Sequence, residues 1–139
     1  MRLTVALRLS LAGIGGLALL SGTHWARGAF PHPTSTLAFA LGVLPNFAAA
    51  FAMPLVLASM LPSISAEHPT RLGRRQFMLL LLFTTLGLCA WELIQTQSSR
   101  FVFDLNDLAA TVAGAVLAFV LYSITVRSAS GSASHNHEA

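Results

Sequence analysis

The sequence contains few charged residues. Only 9% of its 139 residues are charged, five are acidic, and all eight basic residues are arginine. Soluble domains carry about 25% charged residues, so this chain has too few to cover a water-facing surface. Together with 55% hydrophobic residues and a mean hydropathy of +0.70, this excludes an ordinary cytosolic enzyme and a disordered protein. The composition indicates a membrane protein.

Cysteine and the common catalytic motifs are also scarce. The one cysteine, Cys89, lies in an apolar run, which excludes an intramolecular disulfide and a metal cluster built on thiolates. The chain has no phosphate-binding glycine loop, nucleophile elbow or metal-binding helix motif. Its arginines are scattered between apolar runs, which does not favour nucleic acid. We therefore predict the lipid bilayer as a partner, and no cofactor, metal or catalytic residue.

Four apolar stretches could each cross a bilayer, which requires about 20 residues in a helix. They cover residues 3–20, 37–61, 77–95 and 107–126. The predicted fold class is all-α, a polytopic integral membrane protein with a bundle of four transmembrane helices within residues 1–127. Residues 128–139, mostly small or polar, are predicted to form a disordered cytoplasmic tail.

The first stretch has two interpretations. Arg2 and Arg8, followed by apolar and small residues, also fit a signal peptide cleaved near Ala26. His24 and Trp25 fit the small-residue cleavage pattern poorly, and Arg8 is close enough to the helix start to snorkel to the headgroups. We favour a retained helix.

The arginines predict the orientation. With four spans, six of the eight arginines lie on the side of the two termini, and only Arg27 and Arg100 lie on the other side. Because cytoplasmic loops are enriched in arginine, both termini are predicted to be cytoplasmic. Trp25 and Trp91 then lie near the outer interface, which tryptophan favours.

Three of the five acidic residues, Glu92, Asp104 and Asp107, fall within sixteen positions at the predicted outer end. Burying the Glu92 carboxylate at the end of an apolar helix is costly unless it is paired or protonated. Gln95 shares its helix face, and Arg100 can fold back to pair with the carboxylate. The group is either a salt bridge that pins the hairpin or an outward-facing polar pocket.

The start of the fourth span combines an N-terminal cap signature with a helix face made of small residues, which we call the small face. Asp104 and Asp107 fit the cap and the positive end of the helix. The residues predicted to continue this face or to pack beside it are Thr111, Gly114, Ala110 and Ala118. Another helix can approach so small a face closely. We predict that helix to be span three, which would place Glu92 near Asp107, where two carboxylates could share a proton or a cation.

The second span contains Pro45, Asn46 and Pro54. Each proline lacks an N–H and frees a carbonyl one turn earlier. Asn46 could satisfy such a carbonyl or reach into the bundle interior, and in either case it should face protein rather than lipid.

At these residues the chain resembles the VanZ-like family of small bacterial membrane proteins. The matching positions are Glu92, Gln95 and Arg100, the run from Phe103 to Thr111, and Gly114, with a weaker match at Pro45, Asn46, Phe47, Phe51 and Pro54. Thr111 stands where asparagine is common in the family. The resemblance implies a four-helix protein of the bacterial inner membrane. Founding members are associated with low-level resistance to teicoplanin, and no reaction is known for the family.

These observations lead to three functional hypotheses. The first is a non-catalytic envelope protein whose outer polar cluster, Asn46 and Thr111 included, binds a polar ligand or lipid headgroup. The second is an assembly subunit that docks the small face of span four onto a larger membrane complex. The third is a membrane enzyme that uses Glu92 and Asp107 as acid and base or as ligands of a hard cation. We rank the enzyme last, because no nucleophile is evident.

Overall fold

The computed structural model describes residues 4–61, 72–95 and 104–134. These residues form four helices: α1 (Val5–Ala29), α2 (Ser35–Met60), α3 (Arg74–Gln95) and α4 (Leu105–Ser134). Each helix is long and apolar enough to cross a membrane. The predicted all-α fold with four apolar helices is therefore confirmed, and the chain is a multi-pass membrane protein.

Two helices extend furthest beyond their apolar stretches. Helix α1 continues through His24 and Trp25 to Ala29, and α4 continues to Ser134. Residues 128–134 are thus helical, where the sequence predicts the start of a disordered tail; residues 135–139 lie outside the described part. The hydroxyl of Ser128 donates to the carbonyl of Ile124 within the helix. Once α4 has formed, each added residue gains a hydrogen bond without a new nucleation cost.

Threonine side chains cap two of the helices. Thr4 accepts a hydrogen bond from the amide of Leu7 at the start of α1, and Thr34 accepts one from Leu37 at the start of α2. A capping hydroxyl satisfies one of the backbone N–H groups that have no partner within the helix. The caps therefore fix where the first two helices begin.

Helix α1 packs on α2 through glycine. A Cβ atom on Gly13 would lie 2.5 Å from Val56 Cγ2, and one on Gly16 would lie 2.8 Å from Ala52 Cβ. The hydroxyl of Ser10 donates to that of Ser59 at 2.9 Å. Small residues allow this approach, which membrane helices need because lipid provides no hydrophobic drive for their association.

The small face of α4 packs against α2, not against α3 as predicted. A Cβ atom on Gly114 would lie 2.3 Å from the carbonyl oxygen of Phe47 and 3.1 Å from Ala50 Cβ. Ala118 is completely buried, and Ala110 is half-buried. Helix α2 offers a matching narrow surface at residues 48–50, whereas α3 presents mainly leucine and phenylalanine. Two narrow surfaces pack most closely. Because α2 contacts each of the other three helices, it is the central helix of the bundle.

The apolar core is concentrated where α1 and α3 begin, which we call the Tyr122 end. The Tyr122 hydroxyl donates to the carbonyl of Leu72, and its ring stacks on Phe77 with centroids 3.9 Å apart. Leu9 and Leu55 are among the other buried residues of this core. The opposite end, where α2 and α4 begin, is the Glu92 end.

Candidate functional site

The side-chain amide of Asn46 links polar groups from three helices. Its Nδ2 atom donates to Glu92 Oε1 at 2.9 Å, and Glu92 is only 6% exposed. The Asp107 carboxylate interacts with the same amide and with the charge of Glu92. We call Asn46, Glu92 and Asp107 the Asn46 cluster. It joins α2, α3 and α4 at the Glu92 end.

Pro45 explains why Asn46 can turn toward the other helices. Proline has no N–H to donate to the carbonyl four residues earlier, that of Leu41. The Arg27 guanidinium supplies the missing donor: its Nε atom donates to Leu41 O at 2.9 Å, and Nη2 donates to Leu41 O and to Gly42 O. The freed carbonyl is thus satisfied from α1, and Asn46 takes the second of its two predicted roles, reaching into the bundle interior.

Arg27 also belongs to this site, although in the sequence it stands out only as a charge that bears on orientation. Besides capping the freed carbonyl, it lies close enough to Asp107 to interact with its carboxylate electrostatically. The sequence does contain a signal for this role. Pro45 predicts a carbonyl in need of a donor, and the last turn of the preceding antiparallel helix carries an arginine. A cation near the end of a helix is also favourable to the helix dipole.

The charges of the site are unbalanced. Glu92 and Asp107, when ionised, carry two negative charges, and Arg27 carries one positive charge. In a membrane interior such charges interact more strongly than in water. Among the described residues, the site is therefore complementary to a group that brings positive charge or hydrogen-bond donors.

Asp104 and Thr111 have other roles. Asp104 is exposed, and its Oδ1 atom accepts from the backbone N–H and the side-chain amide of Asn106 at 2.9 and 2.7 Å. It therefore caps α4, one of the two roles predicted for it, and its charge also acts on the carboxylate of Asp107. Thr111 is fully buried, but its hydroxyl donates to the backbone carbonyl of Asp107 at 2.9 Å. The hydroxyl proton of Thr111 is therefore engaged in a hydrogen bond within α4.

The side chains of two predicted members of the cluster are not described. Gln95 is the last residue of α3, and its side chain is among the groups not described, as is the whole of Arg100. Their predicted pairing with Glu92 stays a prediction. Among the described residues, no three histidine, cysteine or acidic side chains are grouped to hold a metal ion.

We expect Arg27→Leu to lower the free energy of unfolding by about 1–3 kcal/mol, because it leaves the Leu41 carbonyl without its donor. Pro45→Ala restores a backbone N–H at the fourth residue after Leu41. In the Pro45→Ala background, Arg27→Leu should therefore have a much smaller effect. Denaturation with sodium dodecyl sulfate in detergent micelles measures both effects. Equal losses in the two backgrounds would contradict the role given to Arg27.

Comparisons with protein-family models, with curated proteins and with solved structures find no match to this chain. The described residues define the class of protein: a multi-pass helical membrane protein, with four apolar helices in that part of the chain and a polar cluster where three of them meet.

Proposed function

We propose that the protein is a non-catalytic envelope protein of VanZ-like type, and that the Asn46 cluster binds a polar ligand or lipid headgroup. The observation that carries this proposal is the hydrogen bond from Asn46 to the buried Glu92 carboxylate, with Asp107 against the same amide. A structural clasp needs one carboxylate and one cation. Two neighbouring carboxylates are a costly way to pin a hairpin, and ionisable groups inside membranes are usually functional.

The chemistry of the cluster favours an amine. An ammonium group offers three hydrogen-bond donors and one positive charge, which match two carboxylates and offset the excess negative charge. The amine of an ethanolamine headgroup has these properties. The quaternary ammonium of choline has the charge without the donors.

The proposal places the Glu92 end at the outer face of the bacterial inner membrane. Trp25 and Trp91, at that end of α1 and α3, are 73% and 58% exposed, as befits side chains at a membrane interface. Six of the eight arginines lie toward the opposite end in the four-span order. Both observations support cytoplasmic termini.

The first test is binding of a short-chain phosphatidylethanolamine to the protein in phosphatidylcholine nanodiscs, followed by the fluorescence of Trp91 in a Trp25→Phe background. We expect saturable binding, weakened at least about tenfold in Glu92→Gln and in Asp107→Asn, because loss of a hydrogen bond to a charged group costs about 1.5–3 kcal/mol. Asp104→Asn is the matched control: it also removes a carboxylate whose charge acts on Asp107, but Asp104 caps α4 and has no described hydrogen bond to Asn46 or Glu92. Equal affinity in all four proteins would contradict the proposal.

The VanZ-like part of the proposal has a separate cellular test. In a teicoplanin-sensitive bacterial host, expression of the chain should raise the inhibitory concentration, and Glu92→Gln should abolish this gain at an unchanged protein level in the membrane. Asp104→Asn should retain the gain. Resistance that persists in Glu92→Gln would exclude the cluster from that phenotype.

The structure favours neither alternative function. The assembly-subunit hypothesis docks the small face of α4 onto a partner, but α2 already occupies that face at Gly114. The enzyme hypothesis uses Glu92 and Asp107 as acid and base or as ligands of a hard cation, and it would gain support from a nucleophile beside them. The hydroxyl of Thr111, one helical turn after Asp107, donates within its own helix.

A further inference from the structure

An apolar groove separates α3 from α4 on the outside of the bundle. It has a volume of about 300 Å³ and is lined by Met78, Leu82 and Thr85 of α3 and by Val112, Val116 and Phe119 of α4, among others. At 1.5 Å per helical residue, the stretch from Met78 to Thr85 spans about 10 Å along the membrane normal. The groove is thus elongated and opens toward lipid.

A basic pocket adjoins this groove at the Tyr122 end. It has a volume of about 80 Å³, and its lining includes Arg74, Ser123 and Arg127. The Arg74 guanidinium lies 5.5 Å from the centroid of the Phe119 ring. Phe119 also lines the groove, so one side chain joins the two spaces, with cations at one end and apolar surface beyond.

The charge of this pocket is not offset by the acidic residues that the structure describes. Glu92, Asp104 and Asp107 all lie at the opposite end of the bundle. Arginine binds phosphate through two parallel hydrogen bonds. Basic pockets between transmembrane helices bind anionic lipid headgroups.

We propose that the α3–α4 groove and its basic pocket bind one anionic phospholipid, with its phosphate at Arg74 and Arg127 and an acyl chain in the groove. The size, the apolar lining and the direction of the groove fit a hydrocarbon chain that hangs from the interface. The basic pocket lies at the end of the groove where the headgroup of such a lipid would be. This inference is independent of the proposed function, which concerns the other end of the bundle.

The test is native mass spectrometry of the protein released from nanodiscs that contain equal amounts of phosphatidylglycerol and phosphatidylcholine with the same chains. We expect phosphatidylglycerol to be retained in preference. Arg74→Gln and Arg127→Gln should each lower the retention ratio about fivefold, the factor that corresponds to about 1 kcal/mol per arginine. The control is Arg8→Gln, an exposed arginine at the same end that lines neither space.

A second pair of variants tests the groove without changing charge. Val112 and Val120 are both exposed on α4, at 54% and 43%, but only Val112 lines the groove. Val112→Trp should lower lipid retention several-fold, whereas Val120→Trp should not. If Arg74→Gln fails to fold after losing its contact with Phe119, this pair of variants still tests whether a lipid binds in the groove.

Three results would overturn the inference. The first is equal retention of the two lipids by the wild-type protein. The second is an equal loss of preference in Arg8→Gln and in the pocket variants, which would mean diffuse attraction to anionic membranes only. The third is equal lipid retention by Val112→Trp and Val120→Trp.

Discussion

Replacing Gly114 by alanine is expected to lower the free energy of unfolding by about 3 kcal/mol or more, a large effect for one methyl group. The added Cβ atom would lie 2.3 Å from the carbonyl oxygen of Phe47. That oxygen belongs to the backbone of α2 and cannot rotate away as a side chain could. The two helices must therefore separate, and overpacking of this kind costs about 1–3 kcal/mol even where side chains can adjust.

The matched control is Gly87→Ala in α3. A Cβ atom on Gly87 would meet nothing within 4 Å, so the substitution should stabilise the protein by up to about 1 kcal/mol through helix propensity. Both free energies can be measured by denaturation with sodium dodecyl sulfate in micelles. The same substitution should thus have opposite signs at two positions. A Gly114→Ala protein as stable as Gly87→Ala would show that α2 and α4 are not in contact there.

The separation should also affect the polar site. Asp107 lies two helical turns before Gly114 on the same helix, so moving α4 outward moves its carboxylate away from Asn46. We therefore expect Gly114→Ala to weaken any binding at the Asn46 cluster as well as the fold. Gly87→Ala should leave that binding unchanged.

The four helices could be predicted from the sequence because a bilayer forces each apolar stretch to satisfy its own backbone hydrogen bonds. Their ends were less predictable. Hydropathy marks the part of a helix that meets lipid, whereas α1 continues through His24 and Arg27, and α4 continues through a run of serine and alanine to Ser134. Polar residues at an interface do not stop a helix that has already formed.

Part of the site could also be predicted. Glu92, Asp107 and Asn46 stood out because polar groups in apolar helices must face protein. Hydropathy does not reveal which helices are neighbours, so the sequence points to α3 as the partner of Gly114, whereas the structure places α2 there. The role of Arg27 was missed because it depends on a tertiary contact with the carbonyl that Pro45 frees.

The second large effect is expected at Asn46. Asn46→Ala removes the described donor to Glu92 Oε1 and leaves a buried carboxylate facing Asp107 without the amide between them. We expect this to lower the free energy of unfolding by about 3 kcal/mol, since removing one partner of a buried charged group exposes the full desolvation penalty of the other.

Removing both partners should be less harmful than the sum of the single changes. The double variant Asn46→Ala with Glu92→Leu has no carboxylate at position 92, so no buried carboxylate lacks a donor there. Leucine at this position also suits the apolar surroundings. Replacing both members of a buried hydrogen bond by apolar groups can be nearly neutral. The single change Glu92→Leu leaves only the amide to be satisfied, which Asp107 can still do.

The contact between Asn46 and Glu92 inside the bundle is the central claim, and a double-mutant cycle on the unfolding free energy tests it directly. We predict a coupling of about 1.5 kcal/mol or more between Asn46→Ala and Glu92→Leu, which is high for membrane helices but expected for a charged acceptor. The control cycle pairs Asn46→Ala with Asp104→Asn and should be additive within about 0.5 kcal/mol. A coupling between Asn46 and Glu92 no larger than in that control would contradict the central claim.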